Sequence, residues 1–333
     1  MKAYIKAIDF YLPEKVITNK EISSRFPEWS EDKIYEKVGI KERHICDKNQ
    51  TALDLAYEAA LKLFSKNPHI KEQIDFILFC TQSADYKLPT SACILQNKLG
   101  INSTSGALDF NLGCSGYEYG LSLAKGLITG GMAQNILLLT AETYSKYIHP
   151  DDKGNLSLFG DAATATIVST EGFAEINQFV FGTDGKGYDE LIVKTGGARY
   201  SNRLNSLRKD ENNHIVSSDH LYMNGNDIFS FTLKQVPKMV NVLLEKSDLD
   251  KEKIDLFIFH QANTYMLEFL RKKMKIDKSK FYYCIENYGN TVSNTIPIAL
   301  CNAISDGTIK GKKSVLLAGF GVGLSWAGCI LKM

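Results

Sequence analysis

Four runs of consecutive apolar residues punctuate the chain: IDFILFC at 74–80, NILLLTA at 135–141, IDLFIFH at 254–260 and SVLLAGF at 314–320. Each is of strand length, rich in branched or aromatic residues, and continuous rather than alternating. That pattern marks a strand covered on both faces. Before the first run and between the first two, TALDLAYEAALKLF (51–64) and SGYEYGLSLAKGLI (115–128) carry apolar residues at helical spacing, which predicts helices with one buried face. Strands alternating with helices predict an α/β fold built on largely parallel, two-sided sheets.

The pattern occurs twice. Asp75 opens DFILFCTQSADY and Asp255 opens DLFIFHQANTY, 180 residues later; Ile136 and Val315 hold matching places in the next apolar run, 179 residues apart. Both first strands follow a helical segment and a short charged link, SKNPHIKEQ in one half and EKSDLDKEK in the other. The nearly constant offset predicts an internal duplication, with one half at 1–172 and the other at 173–333. The polar stretch 196–220, GGARYSNRLNSLRKDENNHIVSSDH, breaks this rhythm. It reads as a surface excursion after the junction, either an inert loop or a cover over a site entrance.

Length and charge narrow the function classes. A chain of 333 residues is long for one core and suits two fused halves. A net charge of +1 gives no reason to expect a nucleic acid or a charged membrane as main partner. No run approaches the ~18 apolar residues of a membrane span, and the N-terminus lacks the apolar core of a secretory signal. The seven cysteines are odd in number, scattered and without a C-x-x-C pair. This argues against a disulfide framework or a structural zinc site and points to a reducing cytoplasm.

Candidate chemistry lies where strands end and helices begin, the usual place for reactive groups in parallel α/β sheets. Cys114 sits in NLGCSGYEYGLSLAKGLI between Gly113 and Gly116, after the strand GALDFNL and before a helix. Oriented N–H groups at a helix start favour a thiolate there, although a small core cysteine fits the same place. His260 ends IDLFIFH, where it serves either as a satisfied structural histidine or as a proton donor and acceptor. Asn290 lies in ENYGNTVSNTIPIAL, a Gly-Asn pair that by itself is turn chemistry. The closing GFGVGLSW (319–326) is glycine-rich but lacks the Lys-Ser/Thr of a phosphate loop. Exposed N–H groups suited to an oxyanion fit it better.

Taken together, these segments resemble the thiolase superfamily, and within it the β-ketoacyl-acyl-carrier-protein synthase III family. NLGCSGYEYGLSLA is similar to the family's nucleophile segment, HQAN to its histidine motif and NYGNTVSNTIP to its asparagine motif; LFGDAATATIV (158–168) and GFGVGLSW resemble two further signatures, all in family order. The resemblance implies a duplicated, five-layered αβαβα thiolase-like fold and a homodimer. It implies Cys114 as the nucleophile that takes an acyl primer from a thioester. His260 and Asn290 would then be donors to a malonyl thioester as it loses CO₂. The backbone N–H groups of Cys114 and Val322 would form the oxyanion hole. The substrates implied are acyl-CoA or acyl-carrier-protein thioesters, with an acyl carrier protein as partner and neither a cofactor nor a metal.

Several positions depart from the family pattern. Aligned on Gly39 and Arg43, Lys33 and Lys37 stand where a Trp and an Arg usually grip coenzyme A, with Trp29 nearby. Lysine pairs with phosphate but offers no indole face, so a carrier-bound primer competes with CoA. Tyr265 replaces the arginine that follows HQAN; Arg271, Lys272 and Lys273 farther along offer a basic face to an acidic carrier. Leu88 stands where a Phe often limits the primer pocket, which predicts room for more than acetyl. A second reading keeps the fold and has Cys114 pass its acyl group to an amine, hydroxyl or water. A papain-like hydrolase also combines Cys, His and Asn, but neither a duplication nor FGDAATA has a place in it. A non-catalytic subunit of this fold would not need all three reactive residues.

Overall fold

The computed structural model describes residues 1–209 and 215–333; residues 210–214 of the polar excursion lie outside the described set. Nine strands form one sheet: β1 (Tyr4–Tyr11), β2 (Phe76–Cys80), β3 (Gly106–Phe110), β4 (Asn135–Glu142), β5 (Ala162–Ser169), β6 (Ala174–Thr183), β7 (Leu256–Phe259), β8 (Ser314–Gly321) and β9 (Ser325–Lys332). Their spatial order is β7-β8-β9-β6-β1-β5-β4-β2-β3. The main helices are α1 (Glu31–Val38), α2 (Ala52–Lys66), α3 (Ser91–Leu99), α4 (Gly116–Thr129), α5 (Gly225–Lys246), α6 (Thr264–Lys273) and α7 (Thr295–Ser305). All four apolar runs are strands, and both amphipathic stretches are helices. A reciprocal Thr51–Asp54 capping box starts α2, with each side chain bonded to the other's backbone N–H.

The sheet is mixed rather than largely parallel. Only β7–β8, β4–β2 and β2–β3 run parallel. The pairs β8–β9, β9–β6, β6–β1, β1–β5 and β5–β4 are antiparallel. The turn between β8 and β9 holds only Val322–Leu324, far too short for the crossover a parallel neighbour requires. Outward from the centre, β1-β5-β4-β2 on one side has the same pairing directions as β6-β9-β8-β7 on the other. The two central strands touch only through Tyr4–Glu175 and Ile5–Ala174, so the half-sheets join at one corner.

Three apolar cores separate the layers. One packs α2 and α3, through Leu55, Ala59, Leu63 and Leu95, against Ile77, Leu137 and Ile167 of the first half-sheet. A second lies between the half-sheets, where Leu121 and Ile128 of α4 and Ile296 and Leu300 of α7 meet Leu138, Ile258, Val315 and Leu331. The third packs α5 and α6 on the second half-sheet through Val240, Leu243, Leu267, Phe257 and Leu316. The succession is helix, sheet, helix, sheet, helix: the five layers of a thiolase-like fold. We infer that 1–172 and 173–333 are two copies of one unit, since the division falls in the turn between β5 and β6. The described part of the excursion is organised: Asp219 accepts from Thr195 Oγ1 and from the N–H groups of Leu204 and Asn205, each at 2.9 Å.

Candidate active site

Cys114 lies in the tight link from β3 to α4, a turn closed by the Gly116 N–H donating to Gly113 O at 2.7 Å. Both glycines are required by what surrounds them. A Cβ at Gly113 would lie 2.5 Å from Gln82 Oε1 and against Val322, and one at Gly116 would overlap Cys80 Sγ. Strand β8 presses on the nucleophile from the other side: a Cβ at Gly321 would stand 2.7 Å from Cys114 Sγ. The thiol is therefore tightly packed, in a residue that is 6% exposed. Burial pushes its pKa up to about 12, and the backbone N–H groups of Val322 and of Cys114 itself offset only part of the rise. This corrects the expectation of a thiolate at a helix start. Desolvation outweighs the helix dipole, and the resting group is a thiol at neutral pH.

His260 follows the last residue of β7 and continues its pairing, with its N–H donating to Ala318 O at 2.8 Å. Its ring stands edge-on to Phe320 of β8, 5.5 Å between centroids. Burial lowers its pKa to about 3, so the imidazole is neutral. The other residues of HQAN build the scaffold. Gln261 donates to Phe259 O at 2.6 Å and accepts from Cys284 N at 2.7 Å, while Asn263 caps α6 by accepting from Met266 N. Only the histidine is free for chemistry. Its Nδ1 is 2.7 Å from Thr295 Oγ1, at the first turn of α7.

Asn290 is both a turn residue and a side chain with a free donor. Its backbone is fixed to the LFGD segment, donating to Leu158 O at 2.8 Å and accepting from Gly160 N at 3.0 Å. Its Oδ1 accepts the Val292 N–H at 2.9 Å, which commits the amide oxygen and leaves Nδ2 as donor. Gly289 (φ +68°) permits the turn, since a Cβ there would meet Leu158 O and Arg43. Val292 then reaches to 3.3 Å from a Cβ placed on Gly113. Through Val292 and Thr295, the turn of Asn290 joins the segments of Cys114 and His260. The fold thus brings together Cys114, Val322, His260 and Asn290 from four separated stretches of sequence.

Two buried carboxyls at the site were not among the sequence candidates. Glu142, at the end of β4, accepts from Gln82 N at 3.0 Å and Ser83 Oγ at 2.8 Å, with Ser293 Oγ at 3.5 Å. Burial pushes its pKa up to about 8. Glu118 on α4 is fully buried, neither oxygen has a protein partner, and burial raises its pKa well above the carboxylate range. The polar end of the apolar run NILLLTAE was the only sequence signal for Glu142. Thr295, inside NTVSNTIP, had none.

The remaining candidates lie apart from this centre. Lys33 and Lys37 are exposed on α1. Trp29 is buried, with Lys37 Nζ 5.2 Å and Lys153 Nζ 5.6 Å from its ring, so its indole face is already covered. Arg271 is engaged by Glu268 and by Ile276 O; Lys272 is exposed but 3.8 Å from the same Glu268 carboxylate, and Lys273 is exposed beside it. Tyr265 is exposed and stacks on Phe229 at 5.7 Å. Leu88 is 82% exposed in the single chain. Among the described residues no group of three or more His, Cys, Asp or Glu could hold a metal ion. No described helix is long and apolar enough to cross a membrane.

Comparison with known proteins agrees with this geometry. Residues 108–185 match the family described as 3-Oxoacyl-[acyl-carrier-protein (ACP)] synthase III, and residues 244–333 match its C-terminal counterpart. The chain is 36% identical over 324 residues to a Clostridium perfringens beta-ketoacyl-[acyl-carrier-protein] synthase III, covering 97% of each chain. It is 37% identical over 335 residues to the Bacillus subtilis protein named beta-ketoacyl-[acyl-carrier-protein] synthase III 2, covering 99% of this chain and 98% of the other. A crystal structure of a 3-oxoacyl-(acyl-carrier-protein) synthase III superposes with a TM-score of 0.97 at 50% identity, over the full length of both chains.

Proposed function

The chain belongs to the β-ketoacyl-acyl-carrier-protein synthase III family of condensing acyltransferases, and from that premise we propose that it joins a Cys114-bound acyl primer to a malonyl thioester on an acyl carrier protein. The observation that carries this reading is the convergence of a buried thiol, a neutral histidine and an amide with a committed oxygen. Cys114 Sγ attacks the primer thioester. The new S–acyl bond forms as the old C–S bond breaks, and the thiol proton leaves with the departing thiol. The backbone N–H groups of Cys114 and Val322, which favour negative charge on the sulfur, stabilise the oxyanion of that step.

The malonyl thioester then loses its carboxylate as CO₂, and the electrons of the broken C–C bond pass into an enolate. His260 Nε2–H and Asn290 Nδ2–H donate to the enolate oxygen. The enolate carbon attacks the acyl-Cys114 carbonyl, giving a 3-oxoacyl thioester and expelling Cys114 as a thiolate, which takes up one proton from solvent to restore the resting thiol. Neither donor carries charge in the resting site, which suits a dry pocket where an unpaired cation would be costly to hold.

Both substrates arrive through a basic rim. Lys33 and Lys37 of α1 and Lys272 and Lys273 of α6 offer ammonium groups to phosphopantetheine phosphate or to acidic carrier side chains. The covered face of Trp29 favours a carrier-bound primer over CoA. Strand β3 closes one end of the sheet with its outer edge unpaired among the described residues, and Leu108 on it is 46% exposed. We assign that edge to a homodimer contact, where Leu88 of each protomer comes against its partner. Seven free thiols fit a cytoplasmic enzyme.

Intact-mass spectrometry with a panel of acyl-CoA and acyl-carrier-protein thioesters tests the reading. The expected result is an acyl adduct that is lost in Cys114→Ala, together with CO₂ release from malonyl-carrier. An adduct without CO₂ release would favour transfer to another acceptor, and no adduct from any donor would overturn the assignment.

A further inference from the structure

His260 has two neutral forms, and the condensing role assigned to it above needs the proton on Nε2, the nitrogen opposite its one observed side-chain partner. That partner is Thr295. Its Oγ1 lies 2.7 Å from Nδ1 and 3.2 Å from Val292 O. A hydroxyl has one proton to give, so the two acceptors compete for it. Val292 O is already served, because it accepts the backbone N–H of Thr295 itself. Nδ1 has a single partner, at the shorter distance, in a site where His260 is 2% and Thr295 3% exposed. A buried acceptor left without a donor is costly. Placing the hydroxyl proton on Nδ1 satisfies both acceptors, whereas placing it on Val292 O gives that carbonyl a second donor and forces Nδ1 to carry the ring proton.

We propose that Thr295 is a positioning residue that holds His260 in its Nε2–H form by donating its hydroxyl to Nδ1. The device is local in space and distant in sequence: α7 brings its first residue to a histidine 35 positions earlier. It also explains how an imidazole that carries no charge in this site keeps a donor aimed outward. The ring itself takes up and releases no proton, because it enters and leaves the decarboxylation step as the same tautomer; the one proton each turnover consumes goes to the freed sulfur of Cys114. The hydroxyl, not the methyl, of Thr295 performs this function, so serine can replace it and valine cannot.

The test uses the full-length protein labelled with ¹⁵N in its histidines. Long-range ¹H–¹⁵N spectra between pH 6 and 8.5 are expected to show His260 as a neutral ring protonated at Nε2. In Thr295→Val that signature is expected to give way to a mixture or to the Nδ1–H form. Decarboxylation of malonyl-carrier is expected to fall at least tenfold while the rate of Cys114 acylation changes less than threefold. Thr295→Ser, which also guards against a simple folding defect, is expected to keep the wild-type tautomer and a rate within threefold. A wild-type ring protonated at Nδ1, or a valine variant with unchanged tautomer and rate, would overturn the proposal. A wild-type protein that decarboxylates no malonyl thioester would instead overturn the condensing function, with the spectra still deciding the tautomer.

Discussion

Gly321→Ala isolates the closeness of β8 to the nucleophile. The added Cβ would lie 2.7 Å from Sγ and 2.8 Å from Cβ of Cys114. Ordinary carbon contacts begin near ~3.5 Å, so about 1 Å of overlap must be relieved. Rotating the thiol away leaves the clash with its own Cβ in place. Backbone withdrawal is opposed on both sides. Gly321 is paired with Ser325 in the β8–β9 hairpin, and Ser325 Oγ is bonded to Ser115 Oγ at 2.7 Å, next to Cys114 itself. Overpacking of this kind costs about 1–3 kcal/mol of stability. A displacement near 1 Å at a reacting atom costs roughly 100-fold in rate. The expected variant is folded, melts several degrees lower, and acylates Cys114 about two orders of magnitude more slowly in an intact-mass time course. Acylation within threefold of wild type would show that the strand does not confine the sulfur, and the site geometry would have to be redrawn.

Other outcomes follow from the same site. Because the Cys114 thiol ionises near 12, its alkylation by iodoacetamide in the free enzyme should rise about tenfold per pH unit from 7 to 9; a plateau below pH 8 would mean an activated thiolate. Asn290→Asp keeps the oxygen that accepts from Val292 N–H but loses the amide donor. Decarboxylation should therefore fall by about 10²–10³ while the acyl adduct still forms, and equal loss of both steps would contradict that division of labour. Glu142 ionises near 8 in the fold, against about 4.3 in an unfolded chain. Its protonated form binds the native state better, so its contribution is fully present below about pH 4 and is lost as pH rises through 8. Denaturant titrations should show the stability of wild type relative to Glu142→Gln falling by on the order of a few kcal/mol from pH 5 to pH 9. A pH-independent difference would refute the buried, neutral carboxyl.

The elements of this protein were legible because their signals are local. Continuous apolar runs mark β2, β4, β7 and β8, and helical spacing marks α2 and α4. The offset of 180 residues from Asp75 to Asp255 was legible for the same reason, since a repeat is a property of the sequence itself. Cys114, His260 and Asn290 stood out because each interrupts a local pattern at an element end. Tertiary structure alone decided what those residues are chemically. Burial by β8 and the turn of Asn290 reversed the expected ionisation of Cys114, which a helix start by itself would have lowered. The antiparallel returns of β5 and β9 depend on which strands find each other, and apolar runs carry no direction. For Leu88 the sequence names the residue, and only the fold shows its side chain projecting from the single chain. The roles of Glu142 and Thr295 were not legible for a related reason: a carboxyl or a hydroxyl acquires its role from partners tens of residues away, and the dielectric and hydrogen-bond geometry that set that role exist only once those segments have packed.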